Sequence, residues 1–300
     1  MYWVRFKVFN ESENSRWLLH KAYPLLDKIE FYSEGKKGIW IKKNTGDILP
    51  FSNREIIHKD FLFRIKIFPN SSGTFFLRFQ SEGTLQFPLY IYDYENFLLR
   101  ERKENLVLGL YYGILIVLSI YNLILFFMIR DTGYLYYLLY ITGYGTIQLI
   151  LNGLAFEYFW PGLPWWANRS LPFVGGWAFF WGLQFTRNFL HTKSNNRKTD
   201  RILKITMALM SRLLISSLTL SYHLNIYFLA SLVILFALIV LTAGAVSLRS
   251  GYKPARYFLI AWGFLLFGVG TYSLKGLGFV PANFFTEYGL QIGSAIEMCL

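Results

Sequence analysis

Two ionisable side chains, Arg212 and Glu297, fall inside long apolar stretches of this 300-residue chain. A charged group within a membrane is costly, so residues of this kind usually face the protein interior and have a function. One interpretation is an interhelical ion pair that responds to a signal. The other is that each side chain has its own hydrogen-bond partners, or that Arg212 extends toward the membrane surface. Both residues are therefore candidates for an intramembrane polar relay.

The other chemistry-bearing residues form no catalytic pattern. The sequence has no Gly-rich phosphate loop, no HExxH zinc motif, no nucleophile elbow and no paired loop carboxylates. The four histidines, His20, His58, His191 and His223, share no metal-ligand spacing. The single cysteine, Cys299, excludes an internal disulfide. We therefore expect no enzyme activity, no catalytic residue, no metal site and no cofactor in these 300 residues.

Aromatic side chains in the first hundred residues could stack on a sugar ring or pack in a core. Aromatic residues are strong strand formers, which favours core packing for any one of them. The sequence alone therefore assigns no ligand-binding residue. The side chains concerned are Trp3, Trp17, Tyr23, Trp40, Tyr90 and Tyr92.

Residues 1–100 alternate between apolar and polar side chains in short runs, which predicts β-strands. Turn-forming residues at 69–73 and 81–83 separate the last three of these runs. Pro88 indicates that the last strand is an edge strand or a bulged one. Short strands at regular spacing predict an antiparallel β-sandwich, jelly-roll-like and incomplete at its N-terminus. The predicted strands occupy residues 4–8, 29–32, 39–42, 61–68, 75–80 and 85–92.

The rest of the chain is too poor in charge for a soluble domain. Residues 1–105 hold 17 of the 30 basic and 13 of the 18 acidic residues. An apolar helix of about 20 residues can cross a membrane. We therefore expect a seven-helix transmembrane bundle over residues 106–300, after the β-sandwich domain over residues 1–100. The predicted spans are 106–129, 134–154, 171–190, 205–222, 225–248, 257–274 and a last, incomplete one from Tyr288.

The basic residues predict the orientation of these helices. Nine of them lie in the connectors 130–131, 191–204 and 249–256, whereas the opposite connectors hold only Arg169 and Lys275. Cytoplasmic loops are enriched in Lys and Arg, so the first domain is expected outside and the C-terminus inside. Because membrane orientation accounts for these basic residues, the net charge of +12 does not indicate a nucleic acid partner. Interfacial aromatic residues are expected in the outer loops, at Tyr158, Phe159, Trp160, Trp165 and Trp166.

Both ends of the sequence indicate a fragment. The first residues alternate like a strand and contain no signal peptide, although an exported domain needs one. The last residue, Leu300, falls inside an apolar stretch. We expect a natural chain that begins earlier and continues into the cytoplasm.

Several stretches resemble one family. NLVLGLYYGILIVLSIYNLILFFMIRDTGYLYYLLY, LILNGLAFEYFWPGLPWW and GLQIGSAIEMCL resemble the bacterial seven-transmembrane receptors with diverse intracellular signalling modules. WLLHKAYPLLDKIEFY, GDILPFSNREIIHKDFLFRIKI and FFLRFQSEGTLQFPLYIYD are similar to the extracellular sensor domain of the second type in that family. The likeness covers nearly the whole chain and keeps its order.

The resemblance implies a receptor in the bacterial inner membrane, in contact with lipid. Its periplasmic jelly-roll domain, related to carbohydrate-binding modules, would sense a small molecule or a carbohydrate. Seven helices would relay the signal to a cytoplasmic kinase, cyclase or phosphatase module that this chain lacks, and such modules usually act as dimers. The alternative is a polytopic transporter or membrane-embedded binding protein without signalling output, although its mid-depth polar residues are few and scattered.

Overall fold

The computed structural model describes residues 1–35, 39–81, 88–276, 279–281 and 283–300. The chain forms two compact units. The first contains Met1–Val107 and Leu149–Leu171, and the second contains Leu108–Gln148 and Pro172–Leu300. Residues 149–171, which the sequence places in a connector of the membrane part, thus belong to the same unit as the first domain.

The described residues of the first unit form two antiparallel sheets. The strand order is β1–β6–β3–β4 in one sheet and β5–β2–β7 in the other. The strands are β1 (Tyr2–Asn10), β2 (Arg16–Lys21), β3 (Lys28–Glu34), β4 (Trp40–Thr45), β5 (Phe61–Lys66), β6 (Ser71–Gln80) and β7 (Leu89–Tyr92).

One apolar core joins the two sheets. The rings of Phe31 on β3 and Phe63 on β5 stack at 4.8 Å, and Leu77 and Phe79 on β6 are fully buried beside them. Each such side chain contributes about 1.5–3 kcal/mol by leaving water. The expected antiparallel sandwich is confirmed, while its jelly-roll connectivity stays a prediction.

The alternation of apolar and polar residues does not predict strand β2, because both faces of this strand are covered. Leu19 lies in the sandwich core, whereas Leu18 packs with Leu62 and Phe97 on the opposite side of the sheet. A strand that is buried on both faces shows no alternation of apolar and polar residues. Burial of four consecutive residues, 18–21, accounts for the missing signal.

Some predicted boundaries are wrong. Strand β6 begins at Ser71, so the predicted turn over residues 69–73 is shorter than expected. Strand β7 begins at Leu89 and lies at one end of its sheet, as Pro88 indicates. Residues 85–87 of that predicted strand, and residues 82–83 of the predicted turn, lie outside the described residues.

Helices follow the sandwich. Within the described part of the chain, four helices are long and apolar enough to cross a membrane, by length and composition: α1, α6, α7 and α8. A helix occupies each predicted span, but the count of seven crossings is not confirmed. The helices are α1 (Tyr94–Ile129), α2 (Thr132–Leu151), α3 (Leu154–Tyr158), α4 (Pro164–Phe189), α5 (Thr192–Asn195), α6 (Arg197–Thr219), α7 (Tyr222–Arg249), α8 (Ala255–Gly276), α9 (Phe284–Glu287) and α10 (Gly289–Cys299).

Helices α1, α4 and α6 begin seven or more residues before the spans that hydropathy predicts. Helix α6 starts at Arg197 because the Asn196 side chain accepts hydrogen bonds from the amides of Lys198 and Thr199. Helix α4 starts at Pro164, a residue type suited to a first helical turn. The prediction that Arg169, Trp165 and Trp166 lie in a loop is therefore wrong, since all three belong to α4.

Helices α8 and α10 pack with their backbones in close contact. A Cβ atom on Gly268 would lie 2.2 Å from the carbonyl oxygen of Gly289. A Cβ atom on Gly293 would lie 2.6 Å from the carbonyl oxygen of Phe264. Small residues that permit such an approach are a common basis of helix association in membranes.

We predict that Gly268→Ala lowers the stability of the chain by about 1–3 kcal/mol, because a backbone carbonyl must move. The control is Gly263→Ala on the same helix, where nothing lies within 4 Å of the added Cβ. That control is expected to be neutral or stabilising, since alanine favours helix over glycine. Unfolding in detergent measures both, and equal effects would contradict the α8–α10 contact.

Candidate ligand face and relay contacts

The side of the β1–β6–β3–β4 sheet that faces away from the core, named here the outer face, carries aromatic and basic side chains. Strand alternation places Trp3, Arg5 and Lys7 on this face, because Val4, Phe6 and Val8 between them pack on the core. The cross-strand register extends the outer face over the other three strands of the sheet. The partners run Trp3–Arg78–Glu30–Asn44 in one row and Arg5–Phe76–Tyr32–Lys42 in the next.

Four rings on the outer face form two pairs. Trp3 lies 5.6 Å from Tyr32, and Trp40 meets Phe76 edge-on at 5.1 Å. The two tryptophans are 55% and 46% exposed, which is unusual for so large a side chain. Indole and phenol rings offer an apolar surface with a polar edge, so a ligand with one apolar side and many hydroxyl groups could bind there.

A buried carboxylate organises the polar part of the outer face. Glu30 accepts hydrogen bonds of 2.9 Å from Lys42 Nζ, Arg78 Nη1 and the Tyr32 hydroxyl, and Lys28 Nζ lies at 3.3 Å. The hydrogen bond from Lys42, together with those from Arg78 and Tyr32, lowers the pKa of Glu30 to about 2 despite its burial. Glu30 therefore stays ionised and holds the surrounding donors in place.

The six aromatic candidates divide between the two expected roles. Trp3 and Trp40 are the exposed members on the outer face. Trp17 and Tyr23 pack partly against the sandwich core. The last two belong to the opposite sheet, where Tyr92 packs on the cluster of Leu18, Leu62 and Phe97, and Tyr90 stacks on Tyr92 at 6.0 Å.

A second cluster of charges is buried where β5 begins. Asp60 Oδ2 lies 2.9 Å from His20 Nε2 and 3.1 Å from Lys59 Nζ. Lys59 Nζ also donates to Glu104 of α1 at 2.6 Å. Burial would raise the pKa of Asp60, but Lys59 and His20 outweigh it and hold that pKa below its usual range. This Asp60 cluster thus connects the sandwich to α1 through ionised groups.

The neighbouring His58 adds a second connection to α1. The amide of Asp60 donates to His58 Nδ1 at 3.0 Å, so that nitrogen must be the acceptor. The proton of the neutral ring is then on Nε2, which donates to Glu101 of α1 at 2.9 Å. Strand β5 and the first turns of α1 are therefore joined at two carboxylates on one side of the helix.

The sandwich also contacts residues 149–171 within the same unit. The amide of Phe51 donates to the carbonyl of Pro161 at 2.9 Å, and the Phe51 ring meets Phe156 edge-on at 5.4 Å. The Asn168 side chain donates to the carbonyl of Asp47 at 3.3 Å. Gly153, with φ of +77°, lets this segment approach closely, since an added Cβ would lie 2.7 Å from Pro24.

Arg54 lies at the centre of this contact. Its Nη1 donates to the carbonyls of His58 and Lys59 at 2.6 Å each, and its guanidinium lies 4.3 Å from the centre of the Phe51 ring. Asp47 is buried beside it and shares a small cavity of about 10 Å³ with it. Burial, reinforced by Asp27 and opposed by Arg54, raises the pKa of Asp47 to about 7.

Within the second unit, the buried side of α10 is polar. Ser294 bonds Tyr111 of α1 at 3.0 Å, and Glu297 accepts from Tyr140 of α2 at 3.4 Å. Gln291 donates to Gln148 of α2 at 3.4 Å. These three residues of α10 are spaced every three positions, so they lie along one side of the helix.

The two predicted relay residues are not brought together. Glu297 is 97% buried and bonded to Tyr140, whereas Arg212 is exposed on α6. Among the ion pairs of the described residues, none joins Arg212 to Glu297. The structure therefore favours the interpretation in which each has its own surroundings, and their role in a relay stays a prediction.

The contact between His20 and His58 is a feature that the spacing of the histidines in the sequence does not predict. His20 and His58 lie 38 positions apart, yet their rings are 6.1 Å apart around Asp60. No group of three or more His, Cys, Asp or Glu side chains able to hold a metal occurs in the described part of the chain. The only sequence signal was the run of His58, Lys59 and Asp60, three polar residues directly before an apolar strand.

These features define a class of protein: a membrane protein in which a β-sandwich with one exposed sheet face is followed along the chain by apolar helices. Residues 104–300 match the family described as 7TM diverse intracellular signalling, and residues 1–93 match its second extracellular domain. The chain belongs to this family of transmembrane receptors, and the resemblance noted from the sequence is confirmed. No curated protein and no solved structure matches the chain.

We predict that Lys59→Met lowers stability by about 3 kcal/mol, because it leaves the carboxylates of Asp60 and Glu104 without their cation. The matched control is Lys66→Met, an exposed lysine on β5 that makes no ion pair among those of the described residues. Chemical unfolding followed by tryptophan fluorescence measures the difference. Similar losses in the two variants would show that the Asp60 cluster does not hold α1 to the sandwich.

Proposed function

We propose that this chain is the sensor and transmembrane part of a receptor that binds a carbohydrate outside the cytoplasm. Ligand binding at the outer face would alter the contacts of the sandwich with α1 and with residues 149–171. The helices would pass that change to a cytoplasmic signalling module. The observation that carries the proposal is the pair of exposed tryptophans on a sheet face organised by a buried carboxylate.

The outer face suits a sugar ligand for physical reasons. A pyranose ring has an apolar side that can lie on an aromatic ring, and hydroxyl groups around its edge that need hydrogen-bond partners. Trp3 and Trp40 supply the exposed rings, and Lys42, Arg78 and Asn44 supply donors beside them. Because Glu30 holds two of these donors in the free protein, little ordering is needed on binding.

Chain continuity supports a relay through three helices. The N-terminal part of α1 contacts the Asp60 cluster. Helix α2 ends just before the segment around Phe156, and α4 begins just after it. Within the second unit, α1 and α2 then hold the polar side of α10 through Tyr111 and Tyr140. A shift of α1 or α2 would therefore change the bonds of the last helix, which is the kind of two-state element that signalling needs.

The orientation follows from the basic connectors. Residues 191–204 contain Lys193, Arg197, Lys198, Arg201 and Lys204. Such a concentration favours the cytoplasmic side of a bacterial inner membrane, which leaves the sandwich in the periplasm and the C-terminus inside. An output module or partner would then be reached through α10.

Trp3→Ala with Trp40→Ala is expected to weaken binding of oligosaccharides at least about tenfold, because each ring supplies stacking area. The measurement is a glycan array with the full chain in lipid nanodiscs, followed by calorimetry on the hits. Phe68→Ala is the control, since Phe68 is an aromatic residue of similar exposure that lies outside the outer face. If the chain binds no glycan, or if Phe68→Ala weakens binding equally, the proposed ligand site is wrong.

The orientation has its own test. Alkaline phosphatase fused after Lys198 should be inactive in cells, because the first turn of α6, which contains this residue, is expected on the cytoplasmic side. A fusion after Phe279, in the opposite connector, should be active. Activity at Lys198 with none at Phe279 would reverse the proposed topology.

A further inference from the structure

We propose that the outer face binds an acidic oligosaccharide, one that carries carboxylate groups, rather than a neutral one. This inference rests on the proposed function and specifies the charge of its ligand. Among the described residues of its four strands, five basic side chains share the face with two carboxylates, those of Glu30 and Glu34. The basic residues are Arg5, Lys7, Lys28, Lys42 and Arg78.

The excess of positive charge is concentrated on β1. Glu30 pairs with Lys28, Lys42 and Arg78, which lie on β3, β4 and β6. Among the ion pairs of the described residues, none includes Arg5 or Lys7. Two exposed cations on one strand, without a carboxylate of their own, repel each other unless a bound anion or salt compensates them.

The cations lie beside the rings, where the acid group of a stacked sugar would be. The Arg78 guanidinium is 5.8 Å from the centre of the Trp3 ring, and that of Arg5 is 5.7 Å from the centre of the Phe76 ring. A carboxylate on a sugar projects from the edge of its ring. A uronic acid residue stacked on Trp3 can therefore place that group toward the guanidinium of Arg5, which lies two positions along β1 on the same face, and a guanidinium binds carboxylates with two donors.

A neutral sugar would use the same rings but would leave Arg5 and Lys7 without a function. A single-stranded nucleic acid also combines stacking with negative charge. We favour the acidic sugar because this domain matches an extracellular family domain and each of its exposed tryptophan rings pairs with a half-buried ring on another strand. Nucleic acid binding becomes an outcome of the test.

The experiment compares three probes on the full chain in nanodiscs of neutral lipid. They are an oligogalacturonate, its fully methyl-esterified form of equal length, and an oligothymidylate. The acid should bind about tenfold more tightly than the ester, roughly what two or three exposed ion pairs provide. The preference should shrink as salt rises from 0.05 M to about 0.5 M, because exposed charges are screened.

The variant Arg5→Gln with Lys7→Gln should remove most of that preference while leaving binding of the ester unchanged. The control is Arg64→Gln with Lys66→Gln, which removes two cations with the same spacing from β5 in the other sheet. This control should keep the full preference. Thermal unfolding of both double variants shows whether the sandwich remains folded.

The outcomes separate the two proposals. Equal binding of acid and ester overturns the acidic ligand but leaves the carbohydrate receptor intact. Tight binding of oligothymidylate that depends on Arg5 and Lys7 overturns the sugar and points to polyanions in general. No binding of either sugar in these conditions, with no hit on a broad array, overturns both proposals.

Discussion

The ion pairs of the buried, ionised Asp60 are the interaction on which the attachment of the sandwich to α1 depends. A buried carboxylate is tolerated only with cations and hydrogen bonds around it, and Lys59 and His20 supply these to Asp60, while Lys59 also pairs with Glu104 of α1. The same short segment provides the carbonyls that Arg54 binds beside Phe156. One electrostatic constraint therefore fixes β5, the start of α1 and the contact with residues 149–171 together.

The two sheets have different neighbours, and the proposed ligand site lies on the sheet that has an open face. One face of the β5–β2–β7 sheet lies on the sandwich core, and part of its other face, at Leu18 and Leu62, is covered by the cluster that contains Phe97. The β1–β6–β3–β4 sheet has only one covered face, so Trp3 and Trp40 remain available. Glu30 keeps the open face ordered through charge-assisted hydrogen bonds, whereas Asp60 uses the same chemistry to attach the covered sheet to a helix.

Signal transfer in such a molecule requires contacts that can rearrange at modest cost. The sandwich meets residues 149–171 through a few hydrogen bonds, ring contacts and a small cavity that contains buried polar atoms of Asp47 and Arg54. The polar side of α10 is similar, since Gln291 has an unsatisfied oxygen in a buried position. Incompletely satisfied polar contacts are less rigid than apolar packing, which suits elements that must move.

The amino-acid sequence determined the class of the protein. Alternation along β1, β5 and β6 and the charge-poor stretches after residue 105 are local patterns, and local patterns survive without knowledge of the partners. Tertiary structure decided the rest. Strand β2 shows no alternation because both of its faces are covered. His20 contacts Asp60 because strand pairing brings β2 beside β5. The aromatic residues lie in the core or on the open face according to the sheet to which they belong. Arg212 and Glu297 have opposite charges, but helix packing leaves Arg212 exposed and buries Glu297 against Tyr140. Whether two side chains meet depends on the whole fold.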